Sequence, residues 1–392
     1  MYEMKCSCSQ GYHKAVLEQI VFEEQAIEKI PEILKDYDQI FVLSDETTYE
    51  VAGKRVIDLL KKAGKYFHDY KLGKDPLPTP ENLGNILVHI YPPLADTDLC
   101  EFSPLPDFIL GVGSGVVNDL SRLTAFRLNR PYGICGTAPS MDGYASGGSP
   151  FLFDGTKATI KGNTPRYIIG DLDILAEAPY EMLQAGIGDM LGKYTAILDW
   201  ELARDYKDDY YCERIANDVI NAANLCLENA AKLKTRSHVI VKNIMEGFIV
   251  SGLGMAYTGC SRPASGAEHM FSHIWELHLL AEGKKPNLHG IEVMESTLIV
   301  MHMYQRLHRE TKDAHLKKLI EKYFEYFDET YKTAVDLKMP IPVRDRDMIL
   351  EGVLKGLKLR DRYTIMHYLD ERGLLEAYAE EAADWLINNS EI

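Results

Sequence analysis

The sequence predicts an α/β domain built on a parallel sheet, followed by an all-α domain. Up to about residue 178, short apolar runs alternate with helical patterns, which is typical of parallel strands joined by helices. From about residue 179 onward, long amphipathic patterns rich in Ala, Leu, Glu and Lys replace these runs. The 392 residues also exceed what one ordinary compact core accommodates. We therefore predict two domains, 1–178 and 179–392.

Composition and charge argue against several classes of partner. A net charge of -16, from 43 basic and 59 acidic side chains, disfavours nucleic acids and anionic membranes, because both require a basic face. No run of about eighteen apolar residues occurs, and the first residues contain no apolar signal core. We therefore expect a cytoplasmic protein without a membrane partner. The 7 cysteines are an odd number in a chain that can fold without disulfides, which favours reduced thiols.

Cys6, Cys8 and His13 lie close together in the sequence and raise the question of a metal site. The spacing of the two cysteines differs from the two-residue gap of zinc knuckles, and chain termini are often mobile. The sequence therefore favours ordinary thiols at these positions.

The first elements of the predicted sheet are a buried strand and the helix that follows it. Residues 40–43 are continuously apolar and end in Ser44-Asp45, and residues 48–63 form an amphipathic helical pattern. Thr79 followed by Pro80 predicts the start of another helix, because a hydroxyl caps the helix and proline fits its first position.

A glycine-rich turn follows the next predicted strand, at residues 108–110. The turn reads Gly111-Val112-Gly113-Ser114-Gly115 and leads into a helical pattern. Such a turn lets backbone amides at a helix N-terminus approach a phosphate. The spacing is not the full G-x-G-x-x-G pattern, so a tight turn that needs a glycine is an equal alternative.

A long loop of small and hydroxyl residues, 136–149, follows the predicted strand 131–134. Because ligands bind at the carboxyl ends of parallel strands, we expect this loop and the glycine turn to face one crevice. An interdomain linker is the alternative. Beyond the loop, residues 151–160 predict a hairpin about Asp154-Gly155, and residues 167–169 predict the last strand.

Four of the 12 histidines lie between Gly266 and Glu292, namely His269, His273, His278 and His289. On a helix, His269 and His273 are one turn apart on one face, and a loop with Gly283 and Pro286 separates them from His289. Two imidazoles and a carboxylate suit a borderline divalent ion and leave a position open for substrate.

The third ligand must come from elsewhere in the chain, and Asp189 is the candidate. Lys193 lies four residues further along the predicted helix, so a simple ion pair is the alternative for Asp189. Later helices, at 316–331 and 374–387, read as packing elements. We expect the cluster Arg360-Asp361-Arg362 to form a solvated or interdomain face.

Five stretches resemble the sn-glycerol-1-phosphate dehydrogenases, in the superfamily shared with glycerol dehydrogenases and 3-dehydroquinate synthases. In chain order they are GVGSGVVND, GTAPSMDGYAS, GDMLGKYTAILDW, SRPASGAEHMFSHIWE and LHG. The resemblance extends from the strand ending at Asp45 to the segment 360–365. It implies a Rossmann-like NAD-binding domain, a helical dehydroquinate synthase-like domain with a metal in the cleft between them, and reduction of dihydroxyacetone phosphate.

The resemblance also implies roles for individual residues. The metal ligands would be Asp189, His269 and His289, and the ion would be zinc, nickel or iron. Asp142 and His273 would contact substrate, and we group Lys193 with them as a catalytic candidate. Asp45, at the position of a ribose-binding acid, favours NAD over NADP. The remaining cofactor-binding candidates are Gly113, Ser114, Gly115, Asn118, Asp119, Thr137, Ser140 and Ser146.

Three other functions remain open at this stage: a glycerol dehydrogenase, a lyase similar to 3-dehydroquinate synthase, and a nucleotide-binding regulator without activity. The ASGAEH segment and an aspartate as third ligand argue against the lyase, and intact candidates at each ligand position argue against the regulator. Lys157, Lys161 and Arg166 are candidates for binding a substrate phosphate, although surface charge is the commoner fate of such residues. A homodimer also stays open.

Overall fold

The computed structural model describes residues 2–90, 105–153 and 156–389. The chain forms two compact units. The first unit contains Lys14–Pro139 and Gly143–Pro179, and the second contains the chain from Tyr180 onward. Two short earlier segments, Met4–His13 and Ser140–Asp142, also belong to the second unit. The predicted division into 1–178 and 179–392 assigns both of these short segments to the first domain instead.

The described residues form ten strands. In chain order they are β1 Tyr2–Lys5, β2 Tyr12–Ala15, β3 Gln19–Glu23, β4 Ile40–Asp45, β5 Tyr66–Leu72, β6 Phe108–Gly113, β7 Tyr132–Gly136, β8 Gly148–Phe153, β9 Thr156–Lys161 and β10 Tyr167–Asp171. Six of them form a sheet in the order β3, β10, β7, β6, β4, β5, and every neighbouring pair is parallel. This sheet and the helices after it confirm the predicted fold class.

The interior strands are buried because both of their faces carry apolar side chains. In β4, Ile40 and Val42 pack into one hydrophobic cluster, while Phe41 and Leu43 pack into a second cluster. Burial on both faces removes the apolar and polar alternation of a half-exposed strand. The continuous apolar runs that predicted these strands therefore have a direct structural cause.

The described residues of the first unit form six α-helices. They are α1 Ile30–Ile33, α2 Glu46–Thr48, α3 Lys54–Lys62, α4 Pro80–His89, α5 Gly115–Leu128 and α6 Leu172–Ala176. A π-helical turn, Tyr49–Gly53, joins α2 to α3 within the helix predicted at 48–63. The start of α4 is as predicted, since the Thr79 hydroxyl accepts a hydrogen bond from the Asn82 amide at 3.3 Å.

Strands β8 and β9 pair antiparallel, which confirms the two arms of the predicted hairpin. Its turn at Asp154-Gly155 lies outside the described residues. β1 and β2 form a separate two-stranded sheet.

From Tyr180 onward, all regular elements among the described residues are helical. The helices are α7 Tyr180–Leu191, α8 Lys193–Lys207, α9 Glu213–Asn229, α10 His238–Thr258, α11 Ala267–Ala281, α12 His289–Glu310, α13 Ala314–Glu321, α14 Phe324–Asp336, α15 Arg346–Gly356, α16 Ile365–Asp370 and α17 Leu375–Asn388. The pattern at 316–331 corresponds to two helices, because the chain leaves the helix between Glu321 and Phe324.

Helix α10 is long and apolar enough to cross a membrane by length and composition alone. In its most apolar window, 56% of the residues are buried inside the protein. Core helices of soluble proteins pass the same test, so α10 is weak evidence for a membrane span.

Candidate metal centre and cofactor-binding edge

Three helices of the second unit bring the predicted metal ligands together. Asp189 lies near the end of α7, His269 in the first turn of α11, and His289 at the first position of α12. One ligand atom from each residue lies within 4.8 Å of the other two. Asp189 and His269 are buried and His289 is half-buried. The set therefore offers two imidazole nitrogens and a carboxylate oxygen at a site that is accessible at one ligand.

Two glycines beside these ligands allow α7 and α12 to approach closely. A Cβ atom added to Gly290 would lie 1.9 Å from the Ala185 carbonyl oxygen, and one added to Gly188 would lie 2.2 Å from the Gly290 carbonyl oxygen. Any larger side chain would separate the two backbones. Gly188 precedes Asp189 and Gly290 follows His289, so the glycines set the distance between these two ligands.

The carboxylate of Asp189 is fixed on both of its oxygens. Oδ1 accepts a hydrogen bond from the Lys193 ammonium at 2.6 Å, and Oδ2 accepts one from the Asp142 amide at 2.9 Å. The same ammonium lies 2.8 Å from the Asp142 carboxylate and donates to the Ala264 carbonyl at 3.0 Å. Lys193 thus joins both aspartates, and the predicted alternative, an ion pair between Lys193 and Asp189, is present.

The electrostatics keep this buried pair charged. Burial alone would raise the pKa of Asp189, but the Lys193 ammonium, with smaller effects from His269 and His289, holds it well below its ordinary value. Burial also opposes the charge on Lys193, yet Asp142 and Asp189 raise the pKa of Lys193 above its ordinary value. An ammonium in this state cannot act as a proton acceptor near neutral pH, so its contribution is positional and electrostatic.

His269 is oriented by Glu268, a residue that the sequence did not single out. The Glu268 carboxylate lies 2.7 Å from Nδ1 of His269 and accepts hydrogen bonds from the Thr195 hydroxyl at 2.8 Å and the Gly266 amide at 2.6 Å. Burial opposes its charge, but the bond with His269, followed by the other two donors, lowers the pKa of Glu268. The carboxylate therefore holds the proton on Nδ1 and leaves Nε2 of His269 as a lone-pair donor.

The donor set fits a divalent ion. Nε2 of His269 lies 3.6 Å from Oδ1 of Asp189. Ligand atoms about 2.1 Å from a tetrahedral ion lie about 3.4 Å apart, so this separation leaves room for an ion between them. The carboxylate that holds the distal nitrogen of His269 is the usual outer partner of a metal-bound imidazole. Zinc, nickel and iron all accept this combination of ligands.

His273 and Asp142 lie beside the proposed ligands. The His273 ring stacks on the His289 ring, with centroids 5.6 Å apart and planes at 14°, and its Nδ1 is 3.6 Å from the Glu276 carboxylate. The Asp142 carboxylate accepts a hydrogen bond from the Ser251 hydroxyl at 2.9 Å. His278 instead lies 2.8 Å from the Glu351 carboxylate.

The segment before α11 is held by arginines that the sequence placed on a solvated or interdomain face. That prediction is wrong for Arg362, which is 8% exposed and donates to the Ser265 carbonyl and the Ser261 hydroxyl. Arg360 also donates to the Ser261 hydroxyl, at 3.0 Å. Asp199 accepts from the Ala267 amide at 2.7 Å and so fixes the first turn of α11, which carries His269.

The sheet of the first unit has a reversal of chain order between β4 and β6. β5 follows β4 toward one edge, whereas β6, β7 and β10 follow one another toward the other edge. Ligands of open α/β sheets bind at the carboxyl ends of the strands at such a reversal. These ends carry Asp45 on β4 and Gly113 on β6, followed by Ser114 and the first residue of α5, Gly115. Asp45 accepts from the Thr48 amide at 2.7 Å and caps α2.

The next strand brings the start of the predicted loop to the same sheet edge. Gly136 pairs with Gly113, and the Thr137 amide donates to the Gly113 carbonyl at 3.1 Å. Ser146 donates to the Gly148 carbonyl at 2.8 Å. Ser140 is buried and belongs to the second unit.

The side chains of Asn118 and Asp119 are engaged inside the first unit. Asn118 donates to the Gly143 carbonyl at 3.1 Å, and Asp119 lies 2.7 Å from the guanidinium of Arg122. Burial raises the pKa of Asp119 to about 6, against the opposing effect of Arg122. The fully buried Arg122 also donates to the carbonyls of Gly143 and Gly148, at 2.6 and 2.9 Å. Sequence reasoning missed Arg122, because the helical pattern does not distinguish it from the exposed Arg127 of the same helix.

Comparisons with known proteins agree with this fold. The family model for iron-containing alcohol dehydrogenases matches residues 21–179. Two solved structures have the same fold. One is a probable glycerol dehydrogenase from Sinorhizobium meliloti 1021, with 17% identity and a TM-score of 0.64 over 95% of this chain and 96% of that chain. The other is an iron-containing alcohol dehydrogenase from Thermotoga maritima, with 14% identity and a TM-score of 0.68 over 95% of this chain and 99% of that chain.

Similar sequences point to a narrower group. The chain is 30% identical to a glycerol-1-phosphate dehydrogenase [NAD(P)+] from Halalkalibacterium halodurans, over 94% of this chain and 96% of the relative. It is 32% identical to a protein of the same name from Methanosarcina acetivorans, over 91% of each chain. The fold and these relatives define the chain as a dehydrogenase. Within that class, the chain belongs to the glycerol-1-phosphate dehydrogenase family, as the sequence motifs predicted.

Proposed function

We propose that this dehydrogenase interconverts dihydroxyacetone phosphate and sn-glycerol 1-phosphate in the cytoplasm, with NAD(H) as the hydride carrier. One observation supports the proposal most directly: the side chains of Asp189, His269 and His289 converge in the second unit. The chain also belongs to the glycerol-1-phosphate dehydrogenase family. Three protein ligands leave a position for substrate oxygen, as in catalytic rather than structural metal sites.

Asp189, His269 and His289 would hold the metal, and neighbouring groups already fix two of these three ligands. A bound divalent ion supplies Lewis-acid stabilisation of the oxygen charge that develops when hydride reaches a ketone. Lys193 and the Asp142 amide fix the carboxylate of Asp189, and Glu268 fixes the ring of His269. Because these groups are locked before substrate arrives, little reorganisation remains for the reaction itself.

His273 and Asp142 are proposed to handle the substrate side of the site. His273 stacks on the ligand His289, so its ring is positioned to exchange a proton with a substrate oxygen. Asp142 is held by Lys193 and Ser251, and its carboxylate can accept a hydrogen bond from a substrate hydroxyl. In this assignment Lys193 positions both aspartates and takes no part in proton transfer.

A preference for NAD is proposed from Asp45. It ends β4 beside the reversal of chain order, where an acidic residue binds the ribose hydroxyl of NAD and repels the additional phosphate of NADP. The relatives are named for use of NAD(P)+, so the preference must be measured on this chain. Equal turnover with NADH and NADPH would refute the role given to Asp45.

The substrate proposal has a direct test. Purified protein is stripped of metal, given back single divalent ions, and assayed for NADH oxidation with dihydroxyacetone phosphate and with unphosphorylated dihydroxyacetone. We expect turnover to return with a divalent ion and to require the phosphorylated ketone. Turnover with dihydroxyacetone alone would overturn the substrate assignment and favour a glycerol dehydrogenase. His289→Ala is expected to lose the bound ion, and full retention would remove His289 from the ligand set.

A further inference from the structure

A second cluster of metal-ligating side chains lies in the second unit. Cys6, Cys8 and His13 come from the N-terminal segment, and Cys212 immediately precedes α9. One ligand atom from each of the four lies within 4.8 Å of the others. His13 and Cys212 are buried, and Cys6 and Cys8 are half-buried. None of the four belongs to the site formed by Asp189, His269 and His289.

Three separations between these atoms lie within about 0.3 Å of the edges of a tetrahedron around zinc. The Cys6 and Cys212 sulfurs are 3.5 Å apart, and Nε2 of His13 lies 3.3 Å from the Cys8 sulfur and 3.7 Å from the Cys212 sulfur. With Zn–S bonds of about 2.3 Å and Zn–N bonds of about 2.0–2.1 Å, the expected edges are about 3.8 Å between sulfurs and about 3.5 Å between sulfur and nitrogen. A disulfide would instead require about 2.0 Å between the two sulfurs.

The imidazole of His13 is oriented as a ligand. Its Nε2 faces the sulfurs, while Nδ1 lies 3.3 Å from the carbonyl oxygen of Tyr257. A carbonyl can only accept a hydrogen bond, so this contact places the proton on Nδ1 and leaves Nε2 with a free lone pair. The Tyr210 hydroxyl lies 3.4 Å from the Cys8 sulfur, where it can donate to a thiolate.

The backbone of the N-terminal segment presents its three ligands together. The Cys6 amide donates to the Gly11 carbonyl at 3.0 Å, and the Gly11 amide donates to the Cys8 carbonyl at 2.9 Å. Gly11 has a φ of +69°, a left-handed conformation that favours glycine. The resulting turn joins β1 to β2, which carries His13.

We propose that Cys6, Cys8, His13 and Cys212 form a structural zinc site that fastens residues 4–13 to the start of α9. Three thiolates and one imidazole are a soft donor set that favours zinc over magnesium or calcium. Four protein ligands close the coordination sphere, which is the pattern of structural rather than catalytic zinc. The site needs no assumption about the reaction, so it stands apart from the proposed function.

Metal content measured by mass spectrometry on variants tests the proposal. We expect two equivalents of metal per wild-type chain. Cys8→Ser and Cys212→Ser should each lose one equivalent of zinc, and His289→Ala should lose the other equivalent. Cys226→Ser is the matched control, because Cys226 is a buried thiol of α9 outside both sites, and it should keep both equivalents. A single wild-type equivalent that is lost in His289→Ala but kept in Cys8→Ser, or full zinc in the Cys8→Ser and Cys212→Ser variants, would overturn the proposal.

Two further measurements leave all four residues of the cluster unchanged, so they test the proposal even if a cysteine variant misfolds. Cobalt bound to thiolates gives a charge-transfer absorption in the near ultraviolet that two histidines and an aspartate cannot give. The band should persist in cobalt-loaded His289→Ala, and its absence there would contradict the assignment. In wild-type protein, a chelator alone should expose three additional thiols to alkylation. If a reductant exposes them and a chelator does not, the cluster contains a disulfide and the zinc proposal fails.

Discussion

Replacing Gly290 by alanine tests whether close packing of α7 and α12 sets the metal geometry. The added Cβ would lie 1.9 Å from the Ala185 carbonyl oxygen, whereas real contacts of this kind are 3.0 Å or longer, so the helices must separate by at least about 1.1 Å (3.0 minus 1.9). The obstructing atom is backbone and cannot rotate away. Metal sites tolerate changes of about 0.2 Å in ligand distance, so the displacement is several times too large.

We therefore expect Gly290→Ala to weaken metal binding at least about tenfold and to lower the free energy of unfolding by roughly 1–3 kcal/mol, the usual cost of overpacking. Titration of metal-free protein with zinc or nickel measures the first effect, and chemical denaturation measures the second. Gly84→Ala in α4 is the matched control, because nothing lies within 4 Å of its added Cβ. It should leave metal binding unchanged and raise stability by roughly 0.5–1 kcal/mol. Wild-type metal affinity in Gly290→Ala would refute the proposed geometry.

Three further predictions concern buried ionisable side chains. Glu268→Gln should keep the fold and weaken metal affinity by about 10–100-fold, because a neutral amide oxygen accepts the hydrogen bond of His269 more weakly than a carboxylate does. Unchanged affinity in a metal titration would contradict this. Lys193→Met should lower the free energy of unfolding of metal-free protein by about 3–5 kcal/mol, because the carboxylates of Asp142 and Asp189 lose their buried partner. Chemical denaturation with and without an added divalent ion should show that the ion restores part of this loss. Burial raises the pKa of Glu295 from 4.5 to about 8. The protonated acid therefore stabilises the fold fully below pH 4.5, and this contribution is lost as the pH rises through about 8. Glu295→Gln should gain stability relative to wild type across that window, by on the order of 2–4 kcal/mol, whereas exposed Glu325→Gln should not.

The sheet shows what sequence patterns can and cannot predict. The predicted strands β4, β6, β7 and β10 are buried on both faces, so their apolar runs were unambiguous. The strands β3 and β5 were not predicted. Both lie at the edges of the sheet, where mixed side chains replace the apolar run.

The candidate metal centre shows a similar limit. His269 and His273 were recognised because helical periodicity relates residues four apart. Asp189 and His289 were candidates from the sequence, and the family resemblance implied that they are ligands. Glu268 was missed because its role depends on the direction of its side chain, which spacing does not encode. Cys212 was missed because it is far along the chain from Cys6 and Cys8, and only the fold brings these residues together.

The cluster of Cys6, Cys8, His13 and Cys212 also bears on how the chain is made. His13 and Cys212 are 199 residues apart in sequence. At about 5–20 residues per second, roughly 10–40 s of translation separate their synthesis. During that interval the first two thiols leave the ribosome without their partner, and they are open to oxidation or to capture by other metals. Correct assembly of this cluster therefore depends on the reducing capacity and zinc supply of the cell while the chain is still being synthesised.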